Sequence, residues 1–187
     1  MVAAVASRDP DNARRLAARW RARVDNFESL AAAGGVDAVY IATPPHLHEA
    51  HAVMCLEAGL PVLIEKPIAI DAAAARRIAG AARRAGRFAM EAMWTRFLPA
   101  TAAIRAELAA GHIGVPRGFS GTFAIADAPS PGNGNFNAQT GGGALLHRGI
   151  YPLSLACHYL GPVTDIRGHL TIGDTGVDTD VMASARH

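Results

Sequence analysis

A single lysine occurs in the chain, in the segment Ile64-Glu65-Lys66-Pro67. The run before it is apolar and Pro67 fixes a turn after it. An ammonium at the end of such a run can donate a hydrogen bond to a substrate hydroxyl and assist its proton transfer. The same four residues also suit a surface turn with a solvated lysine. A second segment, Thr43-Pro44-Pro45-His46-Leu47-His48, opens a helix whose first N–H groups could receive an anion or a cofactor. His48 and His51 lie about one helical turn apart, a spacing a metal could use, with His46 close by. There is no H-E-x-x-H pattern and no nearby cysteine pair, so the histidines read as polar helix-start residues and no metal is expected. The third segment runs from Gly141-Gly142-Gly143 through His147 to Tyr151. Its glycines allow a sharp turn or a close backbone approach. His147 and Tyr151, four apart, would share a helix face, and together they can handle the proton of an alcohol or carbonyl. An amphipathic helix with a buried tyrosine whose hydroxyl is satisfied is the competing reading.

The elements that must carry these residues alternate. Val2 to Ala6, Asp37 to Thr43, Pro61 to Glu65 and Arg87 to Met93 are short apolar runs that read as buried strands. Between them, Asp9-Pro10 starts a helix to about Trp20, a shorter helix covers about Glu28 to Ala33, and a third ends near Ala58. Asp71 caps a fourth helix that stops at Gly86, and a fifth runs from Pro99 to Ala110. Strands apolar on both faces, separated by helices, indicate one parallel sheet covered by helices. The pattern changes after about residue 114. Arg117 to Ala126 reads as a strand, Ala128 to Thr140 as a loop, Gly141 to Leu160 as a helix, and Val163 to Ile172 and Asp178 to Ala185 as strands. The expected class is α/β: a Rossmann-type parallel sheet over 1–112, then over 113–187 part of an α+β domain with an open, mainly antiparallel sheet.

Of the 187 residues half are hydrophobic, enough for a sizeable core, and the net charge is only +2. Basic residues are scattered rather than banked, which argues against a nucleic-acid partner. No apolar run approaches the ~20 residues of a membrane span, and nothing resembles a signal peptide, so a soluble cytoplasmic protein is the default expectation. Cys55 and Cys157 sit in apolar helical stretches and read as inert thiols.

TPPHLH, then IEKP, then GGGALLxxGxYPLS, in this order and at this spacing, resemble the Gfo/Idh/MocA oxidoreductases over nearly the whole chain. Met90-Glu91-Ala92-Met93-Trp94-Thr95-Arg96-Phe97 adds to the likeness, which is to the branch with dihydrodiol and xylose dehydrogenases, near glucose-fructose oxidoreductase. The resemblance implies hydride transfer between NADP or NAD and a sugar, cyclitol or dihydrodiol-like alcohol, and a homo-oligomer built through the C-terminal sheet when complete. It places Lys66 on the family lysine that contacts substrate and assists proton transfer. Tyr151 falls where this branch carries a catalytic tyrosine and many members a histidine. His147 falls on a position that is usually aspartate and is a third catalytic candidate. Ser154 falls where some members have a second aspartate. Thr43, Pro44, His48, Glu65, Lys66, Trp94 and Arg96 are the implied cofactor contacts.

The chain departs from the family in having no G-x-G-x-x-G turn between a strand and a helix. It is therefore expected to be a fragment, missing its first strand and the end of its second domain, and inactive as it stands. Ser7 and Arg8 follow the first strand here. An NAD site places an acid at that strand end, whereas serine and arginine suit a 2′-phosphate; Asp9 reads as the helix cap. A non-catalytic relative that binds a nucleotide or sugar in a regulatory role is the alternative function. Lys66 and Tyr151 favour the enzyme, and His147 favours the alternative.

Overall fold

The computed structural model describes residues 1–32, 34–130 and 132–187, in two compact units, Met1–Ala92 and Met93–His187. The first unit runs β1 (Ala4–Ala6), α1 (Pro10–Trp20), β2 (Arg23–Asp25), α2 (Phe27–Ala32), β3 (Val39–Ile41), a 3₁₀ turn (Pro45–Leu47), α3 (His48–Glu57), β4 (Val62–Ile64), α4 (Ala72–Ala85) and β5 (Ala89–Glu91). The helix ends arise from local chemistry. Asp9 accepts from the N–H groups of Asp11 and Asn12, with Pro10 at the first helical position. Asp71 accepts from Ala74 N–H, and Gly86 closes α4 at φ 61°, a left-handed conformation that glycine adopts without steric cost. Buried Ala74, Ile78 and Ala81 form one stripe of α4, at the three- and four-residue spacing of an amphipathic helix.

All ladders in this unit are parallel, β1 with β2, β3 with β4, and β4 with β5. They form two sheets, β1-β2 and β3-β4-β5, which corrects the expectation that Val2–Ala6, Ala38–Ala42 and Val62–Glu65 share one sheet. The physical reason lies in strand order. Doubly wound dinucleotide folds run 3-2-1-4-5-6. In that order 3-2 and 4-5-6 meet only through strand 1, and two parallel ladders of two and three strands are compatible with it. Among the described residues nothing hydrogen-bonds β1 to β3. The core divides in the same way. Ile41, Leu56, Val62, Ile64 and Ile78 belong to one buried cluster, and Val5, Ala13 and Ala17 to another. Burying a side chain the size of Ile64 or Leu56 contributes roughly 1.5–3 kcal/mol, so most of the apolar stabilisation sits around β3-β4-β5.

The second unit opens with a 3₁₀ turn (Trp94–Phe97) and α5 (Pro99–Ala109). The turn packs on α5 and on the later helix α6 (Ile150–Leu160), and the compact units part at Ala92–Met93. Two short 3₁₀ turns and a π-helical turn (Leu145–Gly149) precede α6. β6 (Asp165–Ile172) and β7 (Asp178–Arg186) form an antiparallel ribbon with an irregularity at Thr171/Ile172. β6 is exposed along its whole length.

Residues 117–126, expected as a strand, form no regular element. Their alternation still aligns side chains: the Phe119 and Phe123 rings pack on Tyr159 and Tyr151 of α6, with centroids 6.2 and 5.2 Å apart. A strand also needs a hydrogen-bonded neighbour. Here a cleft of about 610 Å³, floored by Pro152, Leu153 and Ala156, lies between Pro116–Gly121 and Val181, Ala183 and Ala185 of β7.

No helix among the described residues is long and apolar enough to cross a membrane. Cys55 is buried, Cys157 half-buried, and both are free; burial pushes the Cys55 thiol up.

Candidate functional site

In the first unit the residues singled out collect at the carboxyl ends of parallel strands. Thr43 and Pro44 follow β3, Glu65 and Lys66 follow β4, and Glu91 ends β5. Parallel pairing carries on to these ends, with Glu65 N–H donating to Ile41 O at 2.8 Å and Ala92 N–H to Ile64 O at 2.7 Å. The Lys66–Pro67 peptide bond is cis. Glu65 receives the hydroxyl proton of Tyr40 on one oxygen and, on the other, the N–H of Lys66 at 3.0 Å. Glu91 receives the N–H of Ile68 at 2.8 Å. These carboxylates hold the main chain on both sides of Lys66. The bond to Glu65, with burial and the carboxylate charge adding, pushes the Tyr40 phenol up to about 12.

The histidines divide by role. His48 is fully buried, and its two ring nitrogens face main-chain carbonyls, so it can serve a cofactor only through the loops it holds. His51 lies against Phe27, centroids 4.4 Å apart, with Nδ1 3.1 Å from Thr43 Oγ1. Burial first, then the charge of His48, holds its imidazole below the usual range; Arg8 and His46 add to this and Glu28 opposes. Nδ1 of His46 is buried without a hydrogen-bond partner. No group of three His, Cys, Asp or Glu side chains among the described residues is placed to hold a metal ion.

Ser7 and Arg8 follow β1. The Ser7 hydroxyl accepts from Asp9 N–H at 3.2 Å, and Arg8 is exposed. Asp9 is engaged as the cap of α1, so the strand end offers a ligand a cation and a hydroxyl rather than a free carboxylate. This fits the 2′-phosphate side of a nicotinamide dinucleotide. The turns after β3 and β4 fit its other end, at the position where open α/β sheets take ligands.

In the second unit Tyr151 lies in the first turn of α6, just after the π-helical turn that holds His147. The π turn, with its i→i+5 bonding, leads from His147 into α6. His147 Nε2 lies 3.1 Å from Gly141 O. The Trp94 indole donates to the Tyr151 hydroxyl at 3.2 Å, the two rings edge-on. Arg96 donates from Nε to Ser154 Oγ at 2.9 Å. Trp94 and Arg96, implied as cofactor contacts, thus also anchor α6 to the turn at the head of this unit.

The glycine run is used for close approach. A Cβ on Gly142 would come within 2.7 Å of Asn135 O and 2.8 Å of Asn137 N. Asp178, at the start of β7, accepts from Leu145 N–H at 2.5 Å and so caps the helical segment. Neither Asp178 nor Tyr40 was singled out from sequence. Each is recognisable only from a neighbour distant in the chain.

Residues 1–93 match the oxidoreductase family with an NAD-binding Rossmann fold, and residues 101–187 match the GFO/IDH/MocA C-terminal domain. Trans-1,2-dihydrobenzene-1,2-diol dehydrogenase of Sus scrofa is 40% identical over 154 residues, covering 81% of this chain and 45% of the relative. The dTDP-3,4-didehydro-2,6-dideoxy-alpha-D-glucose 3-reductase of Saccharopolyspora spinosa is 38% identical over 165 residues, covering 87% and 49%. The chain thus spans about half the length of the curated relatives it matches. Among solved structures, the 3-ketoreductase KijD10 of Actinomadura kijaniata, in complex with NADP and TDP-benzene, superposes with a TM-score of 0.86 at 33% identity, covering 98% of this chain and 57% of that one. A levoglucosan dehydrogenase complex with NADH and levoglucosan gives 0.87 at 25% identity, covering 98% and 54%. Fold, motif order and both domain matches agree, and the chain belongs to the Gfo/Idh/MocA family of oxidoreductases.

Proposed function

We propose that the complete protein is an NAD(P)-dependent dehydrogenase acting on a hydroxyl of a sugar, cyclitol or dihydrodiol-like alcohol. The observation that carries this reading is the seat of Lys66 at the carboxyl end of a parallel strand, its main chain fixed by Glu65 and Glu91. The relatives' names point the same way, since one acts on a dihydrodiol and another on a deoxysugar nucleotide. Ser7 and Arg8 favour NADP over NAD.

When bound, the nicotinamide ring supplies the hydride acceptor or donor. In this reading Lys66 is the substrate-contacting lysine and Tyr151 the proton carrier. The Tyr151 bond to Trp94 suits that task. An indole N–H can only donate, so this bond orients the phenol oxygen without using the phenol's own proton. His147 orients substrate from the preceding turn. Turnover by Tyr151→Phe, measured at saturating cofactor, should fall by about 10²–10⁴-fold, the usual contribution of a positioned acid–base group. Lys66→Met should lose as much or more. Full activity in Tyr151→Phe would move the role elsewhere, to His147 first.

A non-catalytic, ligand-sensing relative is the second reading. It is favoured by the imidazole of His147 lying against Gly141 O, at a position where the family usually carries aspartate.

A further inference from the structure

Where β3 and β4 end, the main chain leaves its ladder on both strands, and one side chain spans the two turns. His48, the first residue of α3, has no exposed surface. Its Nδ1 lies 2.8 Å from Pro67 O and its Nε2 2.7 Å from Thr43 O. Both partners can only accept. A neutral ring donates to one of them and only packs against the other, whereas an imidazolium donates to both and ties the two turns together. Pro67 is itself fully buried, so this side of the Lys66 turn is packed as well as bonded.

We propose that His48 is a positioning residue for Lys66, bracing the turn after β4 against the Thr43–Pro44 turn so that the lysine is presented in one direction. Glu65 and Glu91 hold the same stretch through the N–H groups of Lys66 and Ile68, but both come from the ends of β4 and β5. His48 comes from the helix that follows Thr43 and Pro44, and so couples the lysine to the turn implied in cofactor contact. A buried ring with both nitrogens against main chain does not itself touch a ligand. Its effect must pass through the turns it holds.

The inference rests on the role proposed for Lys66, and a double-mutant cycle separates the two. In the catalytically competent protein, His48→Leu keeps the bulk and removes the ring's N–H donors. It should lower kcat by about 10²-fold, the scale of a small misplacement of a reacting group, with little change in KM for the cofactor. In a Lys66→Met background the same substitution should cost little more, because the residue it positions is gone. His48→Gln, which keeps an N–H₂ donor, should recover part of the loss and covers the case in which the leucine variant does not fold.

A readout apart from activity is available in the 187-residue chain, in which Lys66 is the only lysine. Lysine-specific isotope labelling gives one side-chain NMR resonance, expected to shift and broaden in His48→Leu and to return toward its place in His48→Gln. Losses that add in full in the double mutant, or a lysine resonance unmoved by His48→Leu, would overturn the positioning role. Unimpaired turnover by Lys66→Met alone would instead overturn the proposed role of Lys66, and the positioning role with it.

Discussion

Glu65 shows how a strand-end motif extends beyond its own letters. Its carboxylate accepts from the N–H next door and from the hydroxyl of Tyr40 on the neighbouring strand. The tyrosine is more than half exposed, yet its phenol is pushed up from 10.0 to about 12. Because the folded value lies above the unfolded one, the stability this bond supplies is fully present below pH 10 and is lost as pH climbs through about 12. Phenolate absorbance should therefore show a step near 12, and Tyr40→Phe should remove it. A titration curve unchanged by Tyr40→Phe in that range would contradict the bond. His51 works in the opposite sense. Its imidazole is held low, so the unfolded chain takes up a proton first and the first unit should lose stability as pH falls below 6.5. A urea series across that range, followed at Trp20, would show it.

At the scale of elements, the helices were legible because their ends are local. Asp9-Pro10, Asp71 and Gly86 cap by contacts within a few residues, and the structure places α1 and α4 where those signals stand. The features that stayed hidden depend on distant partners. β2 has only Val24 between Arg23 and Asp25, no apolar run at all, and is a strand because β1 lies beside it. Residues 117–126 carry a strand's alternation but lack the neighbour that would make one. The π turn before Tyr151 has no signature of its own. The glycine run was legible as a close approach but its target was not. For Gly142 it is the main chain of Asn135 and Asn137, so Gly142→Ala should cost about 1–3 kcal/mol of overpacking. Guanidinium unfolding read at Trp94, with Trp20 replaced by Phe, measures it; a change within error would mean that the 135–137 loop yields.

At the scale of the molecule, the same motifs that assigned the family also bear on what this stretch of chain can do alone. It carries the residues proposed for the phosphate and hydroxyl chemistry but no strand–G-x-G-x-x-G–helix turn, which cradles a pyrophosphate on free N–H groups. Titration calorimetry of the 187-residue chain with NADP should therefore give very weak binding or none, and tight binding would mean that another backbone supplies the cradle. The break between the β1-β2 and β3-β4-β5 ladders has a consequence for motion as well. Each side of it has its own apolar cluster, and the one behind β1 consists of Val5, Ala13 and Ala17 with Ala22 packed against them. Opening energies follow the contacts an element loses. Amide hydrogen exchange should therefore sort the first unit into two cooperative blocks, with the amides of β1, α1 and β2 trading deuterium well before those of β4 and α4.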